Sequence, residues 1–345
     1  DGWDGLGSSL ESAVSAGDYA SLARSTQYAH FTPEFIVRAI WKGLQRLGWR
    51  GGRVLEPGIG TGLFPALMPE SFRESSLVTG VELDPVTARI VRLLQPRARI
   101  LEGDFARINL PEHFDLAIGN PPFSDRIVRS DRAYRSLGLR LHDYFLARSI
   151  DLLKPGAFAV FVTSHGTLDK ADKTAREHIE NKADLVAAIR LPEGSFQKGA
   201  GTDVVVDILF FRKRRGGDIE GDRSWLDLTD VCFDAGTDGE GRGVVSVNGW
   251  FAHHPEMVLG THALVTGPFG ETYTCLPWVG ENLEAALDAA ITRLPERLYD
   301  DAPDVIDLEA EFAEMPLAAV SGDISHVRAG SFVIDTRHGL WQITD

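Results

Sequence analysis

Cysteine is nearly missing from this chain: two in 345 residues, Cys232 and Cys275, with no CxxC pair. That excludes a disulfide framework and a cysteine-built zinc site, and it favours a cytosolic location. His253-His254 with Glu256 has no third ligand cluster nearby, so no metal is expected. No apolar run approaches the roughly 18 residues of a membrane helix, and no membrane partner is expected. The opening DGWDGLGSS has neither the basic stretch nor the apolar core of a secretion signal. A G-x-x-x-x-G-K-[ST] phosphate loop is absent too. Basic residues are scarce in one part only. Residues 1–215 carry 29 Lys and Arg against 26 Asp and Glu, which leaves 6 and 24 for residues 216–345. The net charge of −15 therefore sits in the last third, which should repel phosphate, while the first two thirds need not.

What is present is the composition of a soluble globular protein, 43% hydrophobic and 25% charged, with ample length for a core. Residues 1–30 read as a helical lead-in. TPEFIVRAIWKGLQRLG then reads as an amphipathic helix, with Thr32 as N-cap, Pro33 at the first helical position and Gly48 as its stop. Short apolar runs follow at 53–55, 77–81, 98–101, 115–118, 157–163, 185–189 and 204–211, with helical segments such as Pro85–Leu94 and His142–Leu153 between them. This alternation predicts an α/β fold, a mostly parallel sheet with helices on both faces. The Gly- and charge-rich stretch from Arg214 to Arg223 is the candidate boundary between a domain over 31–213 and an acidic accessory region over 214–345, a small α+β part.

Three successive strand ends carry polar groups. RVLEPGIGTGLF places Glu56, Gly58, Gly60 and Gly62 after the first strand, where glycines let the backbone turn tightly and approach a ligand. Glu82, twenty residues past Gly62, ends the second strand as the usual partner of a ribose hydroxyl. Asp104 and Phe105 end the third, a carboxylate for an exocyclic amine beside a ring for a purine. An adenosine-type ligand fits all three, and E-P-x-x-G-x-G is not the G-x-G-x-x-G of a dinucleotide site.

The fourth strand breaks as DLAIGNPPFSD. A plain turn needs no asparagine before two prolines and no phenylalanine after them. The side-chain oxygen of Asn120 and the carbonyl of Pro121 can both accept from one planar NH₂ group, and the prolines hold them in place in advance. Phe123 offers a face on which a base drawn from its helix can stack. Directly after it, DRIVRSDRAYRSLGLR sets Arg126, Arg129, Arg132 and Arg135 at every third residue, a loop or helix suited to phosphate. A solvated charged face is the plainer reading of the same residues.

These motifs, in this order, resemble the S-adenosylmethionine-dependent N6-adenine DNA methyltransferases of the gamma motif order. HFTPEF, LEPGIGTG, VELDP, EGDF and GNPPF match that family's motifs in sequence, and the likeness covers about residues 25–213. The resemblance implies a Rossmann-like class I methyltransferase fold with seven strands, the last antiparallel. It implies that Phe31, Thr32, Pro33 and Leu83 join Glu56, the three glycines, Glu82, Asp104, Phe105 and Asn120 around S-adenosylmethionine. Asn120, Pro121, Pro122 and Phe123 would form the catalytic motif, and Phe196 would lie near the target base. The implied activity is site-specific methylation of adenine in double-stranded DNA, by base flipping and direct in-line transfer. The implied setting is restriction-modification. VNGWFAHHPEMVLG resembles, more weakly, a segment of phage and plasmid methylase–helicase fusions, and any helicase part would lie outside this sequence. An RNA base methyltransferase, a protein-glutamine methyltransferase and an inactive module serving a DNA-translocating partner remain alternatives.

Overall fold

The computed structural model describes residues 11–12, 14–20, 32–111, 113–196, 204–218, 221–235, 241–267, 270–299, 332–335 and 339–342. Seven strands form one sheet: β1 (Gly52–Pro57), β2 (Ser76–Glu82), β3 (Ala98–Glu102), β4 (Phe114–Gly119), β5 (Leu153–Ser164), β6 (Ala183–Leu191) and β7 (Val206–Lys213). Their spatial order is β3-β2-β1-β4-β5-β7-β6. β1 to β5 pair in parallel, and β7 runs antiparallel between β5 and β6. The expected seven-stranded sheet with an antiparallel last strand is the one observed.

The local chemistry explains why these runs became strands. Residues 157–162 of β5 are all buried, and side chains alternate across a sheet, so both faces are covered. A strand covered on both faces reads as an unbroken apolar run, which is what AFAVFV is. Five of the helices are α1 (Glu34–Arg46), α2 (Pro85–Leu94), α3 (Leu141–Asp151), α4 (Thr174–Glu180) and α5 (Leu283–Ile291). In α1, Ile36, Val37, Ile40, Trp41 and Leu44 make one buried stripe. α2 begins where Asp84 accepts from the Thr87 amide at 2.8 Å, with Pro85 at the first helical position.

One expectation at α1 is corrected. Pro33, not Thr32, is the N-cap residue, and no side chain caps the helix. Proline has no hydroxyl to offer, and the Thr32 hydroxyl is engaged elsewhere, as the next section shows.

Between Trp225 and Tyr299 the chain adds residues to the same hydrophobic core as the sheet. Three additions cover the sheet. The hairpin of β8 (Leu228–Ala235) and β9 (Gly241–Asn248) leads into a helical turn, Gly249–His253, where the Trp250 indole donates to the Ala188 carbonyl of β6 at 3.2 Å. Gly249 is required there, because a Cβ would lie 2.4 Å from the Ser224 carbonyl oxygen. Next, Leu259 donates to the Arg190 carbonyl at 2.9 Å, closing part of the exposed edge of β6. The hairpin of β10 (Thr261–Gly267) and β11 (Gly270–Leu276) follows. Finally α5 crosses α1, with Ile291 against Gly43 and Lys42 paired to Asp288 at 2.7 Å. A further antiparallel hairpin pairs β12 (Phe332–Asp335) with β13 (Gly339–Gln342).

A buried ionic cluster locks the accessory layer to the sheet. Arg190, fully buried at the end of β6, forks onto both Asp207 oxygens at 2.8 Å each. Its remaining nitrogen meets Asp169 at 2.8 Å and the Tyr273 hydroxyl at 3.1 Å, and Phe251 lies 4.2 Å below the guanidinium. Burial opposes the charge on Arg190, but Asp169 and Asp207 outweigh it and hold the guanidinium ionised. Arg190→Met strands two carboxylates in the core and should lower the unfolding free energy by about 3–5 kcal/mol in urea titration. Asp288→Asn, which breaks a half-exposed pair, should cost under about 1 kcal/mol.

Candidate active site

The parallel strands all release their chains at one edge, and the polar strand ends meet there around a cavity of about 540 Å³. The glycine loop forms its floor. Gly58 and Ile59 donate to the Val81 carbonyl at 2.8 and 3.0 Å, which folds the loop back over β2. Gly58 and Gly60 hold left-handed conformations (φ 71° and 56°), and open space adjoins Gly60 where a side chain would otherwise stand. Gly62 serves differently: a Cβ there would meet the Gln95 side chain at 2.8 Å, so it permits close packing against the end of α2 and does not line the cavity.

Glu82 ties the floor to the wall. One carboxylate oxygen accepts from the Gly60 amide at 2.9 Å and the other from Asp84 at 2.8 Å. Burial nevertheless pushes its carboxyl above the ordinary value. Leu83, beside it, is 66% exposed although apolar, and it borders the opening. Across the cavity, Asp104 fixes its own turn by accepting from Ala106 at 2.9 Å. Phe105 is buried against Phe145, with ring centres 4.9 Å apart.

Asn120, Pro121 and Pro122 complete the wall at the end of β4. The Asn120 Nδ2 donates to the Thr32 hydroxyl at 3.0 Å, across 88 positions of sequence. That bond sets which way the amide points, with Nδ2 toward α1 and Oδ1 as its accepting end. Thr32 thus belongs to the site and not to the helix cap. Glu56, at the end of β1, is only 3% exposed, and its Oε2 has no hydrogen-bond partner among the described residues. Burial, reinforced by the nearby Glu82 charge, raises its carboxyl well above the usual range.

The structure therefore gathers most of the expected residues around one cavity: Thr32, Glu56, Gly58, Gly60, Glu82, Leu83, Asp104, Phe105, Asn120, Pro121, Pro122 and Arg126. Others stand apart. Phe31 lies outside the described residues. Pro33 caps α1. Phe123 and Phe196 are partly buried against the core and do not line the cavity. The arginine segment is not a helix but an irregular loop, closed by an Ile127–Arg140 bridge and containing one short turn at Arg135–Leu137. Arg126, Arg129, Arg132 and Arg135 are all exposed and, among the described residues, form no ion pair, whereas Arg140 pairs with Asp125 at 2.7 Å. Sequence reasoning missed Thr61, Asp84, Leu141 and Phe145 as lining residues. Asp84 could have been found, since a helix N-cap directly after a strand end must sit at that edge. His254, once weighed as a ligand, stacks on Trp250 at 4.0 Å.

Comparison with known proteins finds similarity over parts of the chain. Residues 69–195 match the Eco57I restriction-modification methylase family. The matched segment includes Glu82, Asp104, the Asn-Pro-Pro-Phe stretch and the arginine loop, and it excludes the glycine loop. The Defense against restriction protein B of Escherichia phage P1 is 30% identical over 53% of this chain, which spans 8% of that protein. The type II methyltransferase M.CvrRI of Paramecium bursaria Chlorella virus XZ-6E is 28% identical over 56% of this chain and 50% of its own length. The chain thus spans at most half of these curated relatives. Among solved structures, a class I S-adenosylmethionine-dependent methyltransferase from Listeria monocytogenes has 18% identity, a TM-score of 0.49 and coverage of 56% and 63% of the two chains. The M protein of the type I restriction enzyme EcoKI has 20% identity, a TM-score of 0.42 and coverage of 65% and 52%. The strand order and the antiparallel β7 settle the architecture: the fold is that of a class I S-adenosylmethionine-dependent methyltransferase.

Glu56 gives the ligand-free protein a pH signature. Its folded carboxyl is raised, so the folded state retains a proton that the unfolded state has lost. That contribution to stability is fully present below about 4.5 and is lost as pH rises through the folded value. Denaturant titrations should show Glu56→Gln gaining on the native sequence as pH rises from 4.5 to 8, with little difference at the acidic end. A difference independent of pH would contradict the assignment.

Proposed function

We propose that this chain transfers a methyl group from S-adenosylmethionine to the N6 amine of adenine in duplex DNA. The observation that carries the reading is Asn120, its amide orientation set by Thr32, on the wall of the cavity that Glu82 and Asp104 also line. The cavity suits the cofactor. Glu82 presents a carboxylate at the tip of the second strand for ribose hydroxyls, and Leu83 and Phe105 offer apolar surface for a purine. Asp104 can accept from its exocyclic amine, and Glu56 is a buried carboxyl that a cationic ammonium would convert to its ionised form. S-Adenosylmethionine supplies a methyl group already activated by the sulfonium.

The protein's own part is placement. Asn120 Oδ1 and the Pro121 carbonyl accept the two N–H bonds of the amine, which draws the nitrogen from planarity and directs its lone pair. Held alignment of this kind can supply much of an acceleration: the new N–C bond would form as the S–C bond breaks, leaving S-adenosylhomocysteine, and the cationic amine would then release its proton to solvent, so no strong general base is needed. Phe123 stacks the extruded base, Phe196 borders it, and the exposed arginines of the 123–140 loop contact phosphate. The acidic accessory layer faces solvent or protein, and the rest of a larger methylase, a helicase part included, would lie in chain outside this sequence. Restriction-modification relatives favour DNA over RNA or a protein glutamine as substrate.

Methyl-labelled cofactor offered separately to duplex DNA, RNA and protein should label adenine N6 in DNA alone. Asn120→Ala should lower kcat on the order of 10²-fold or more, the scale for losing one directed polar contact in a transition state, and full retained transfer would defeat the scheme. Arg129→Glu with Arg132→Glu should weaken DNA binding equally across sequences. It should also flatten the log K against log salt slope by about 0.9 per lost phosphate contact. An unchanged slope would mean a merely solvated face.

A further inference from the structure

One guanidinium touches both sides of the proposed site. Arg148, on α3, has a side chain only 11% exposed. It donates to the backbone carbonyl of Phe105, and to that of Ile108 at 2.5 Å, so it fixes the turn after β3 that walls the cavity. The guanidinium also lies over the Phe105 ring, 4.8 Å from its centre. In the other direction it donates to the Tyr144 hydroxyl at 2.8 Å, and Tyr144 in turn donates to Asp131 at 2.8 Å. Asp131 lies 3.5 Å from Arg148 itself.

Asp131 stands inside the arginine loop, between Arg129 and Arg132, and its other oxygen shapes that loop by accepting from Ala133 at 3.0 Å. The loop has a separate root. Tyr134 donates to Asp151, which Lys182 also contacts at 2.5 Å. His178 and Lys182 hold the Asp151 carboxyl down near 2 despite its burial. Loss of the Asp131 contact therefore leaves the loop attached at Tyr134. The same loop sends Arg126 to the cavity.

We propose that Arg148 is a positioning residue that couples the Asp104–Phe105 wall to the arginine loop, so that cofactor and DNA bind with positive cooperativity. The proposal rests on the functional reading above. Ordering the wall around a purine fixes Arg148, which fixes Asp131 and with it the loop. The second ligand then meets a surface with less freedom left to lose. The effect is reciprocal, since a coupling free energy belongs to both ligands.

The test is equilibrium binding of S-adenosylhomocysteine to the full chain, alone and with saturating mixed-sequence duplex at low salt. The native protein should bind it about 10-fold tighter with duplex present, within the usual 5- to 150-fold range of coupling. Arg148→Lys retains the charge but cannot fork to all three acceptors beside the Asp131 pair, and Asp131→Asn retains the Ala133 contact but removes the carboxylate. Both should bring the ratio close to one while each separate affinity moves less than about 3-fold. Arg129→Ala should weaken DNA binding and, at saturation, keep the native ratio. If Arg148→Lys fails to fold by circular dichroism, Asp131→Asn decides alone. A native ratio of one, or variants that keep the native ratio, overturns the coupling. A native protein that binds no S-adenosylhomocysteine overturns the functional reading instead.

Discussion

Parallel pairing of β1 through β4 is the constraint on which the rest of this structure depends. Strands aligned in one direction must all release their chains at one edge, and each return needs a crossover on a face of the sheet. Groups scattered over Glu56, Glu82, Asp104 and Asn120 therefore meet although up to 64 positions separate them. The same pairing buries β1, β2 and β4 on both faces, which leaves their ends as the place where polar atoms can reach a ligand.

Two sets of buried polar groups are matched to different degrees. Those that lock the accessory layer to the sheet, Asn248 and Arg190, are well partnered. The Asn248 amide donates to the Leu168 and Trp225 carbonyls and accepts from Trp250, and Arg190 meets two carboxylates, a phenol and an aromatic face. Matched groups of this type fix one arrangement of the chain, because any other would strand them. Those at the sheet edge are not matched in the same way. Among the described residues Glu56 Oε2 has no hydrogen-bond partner, its carboxyl is raised, and Glu82 is raised although it accepts two amides. A protein tolerates that cost where a ligand, rather than the fold, completes the set.

Much of this was legible in the residues alone. β5 and β7 are long apolar runs because both of their faces are covered, and α2 spans Pro85–Leu94, the bounds its residues gave. The strand-end motifs were legible for a related reason, since glycine loops and acids at strand tips have few other uses. Thr32 was misread as a helix cap, because Ser or Thr before Pro-Glu is the ordinary mark of one, although the family resemblance also put it beside the cavity it lines. Nothing local reveals that the hydroxyl accepts from Asn120 instead. The arginine loop was equally opaque: a three-residue spacing fits a helix, and only its contacts through Asp131 and Tyr134 hold it as an irregular excursion. The accessory layer looked separate because its charge changes sharply at Arg214. Charge lies on surfaces, however, while the shared core is made by Trp225, Trp250, Phe251 and Leu287.

What the sequence determined by itself was the order of strands and helices along the chain, the polar residues at each strand end and the Asn-Pro-Pro-Phe break after the fourth strand, all of which depend on neighbours a few residues away. What only the tertiary structure decided were the contacts that span the chain: Thr32 with Asn120, Arg190 with Asp169 and Tyr273, and Arg148 between the turn after β3 and the arginine loop. The physical reason is one of range. Propensity, capping and periodicity act within a turn or two of backbone. The orientation of an amide or a guanidinium is set by whichever partner the packed fold brings within about 3 Å.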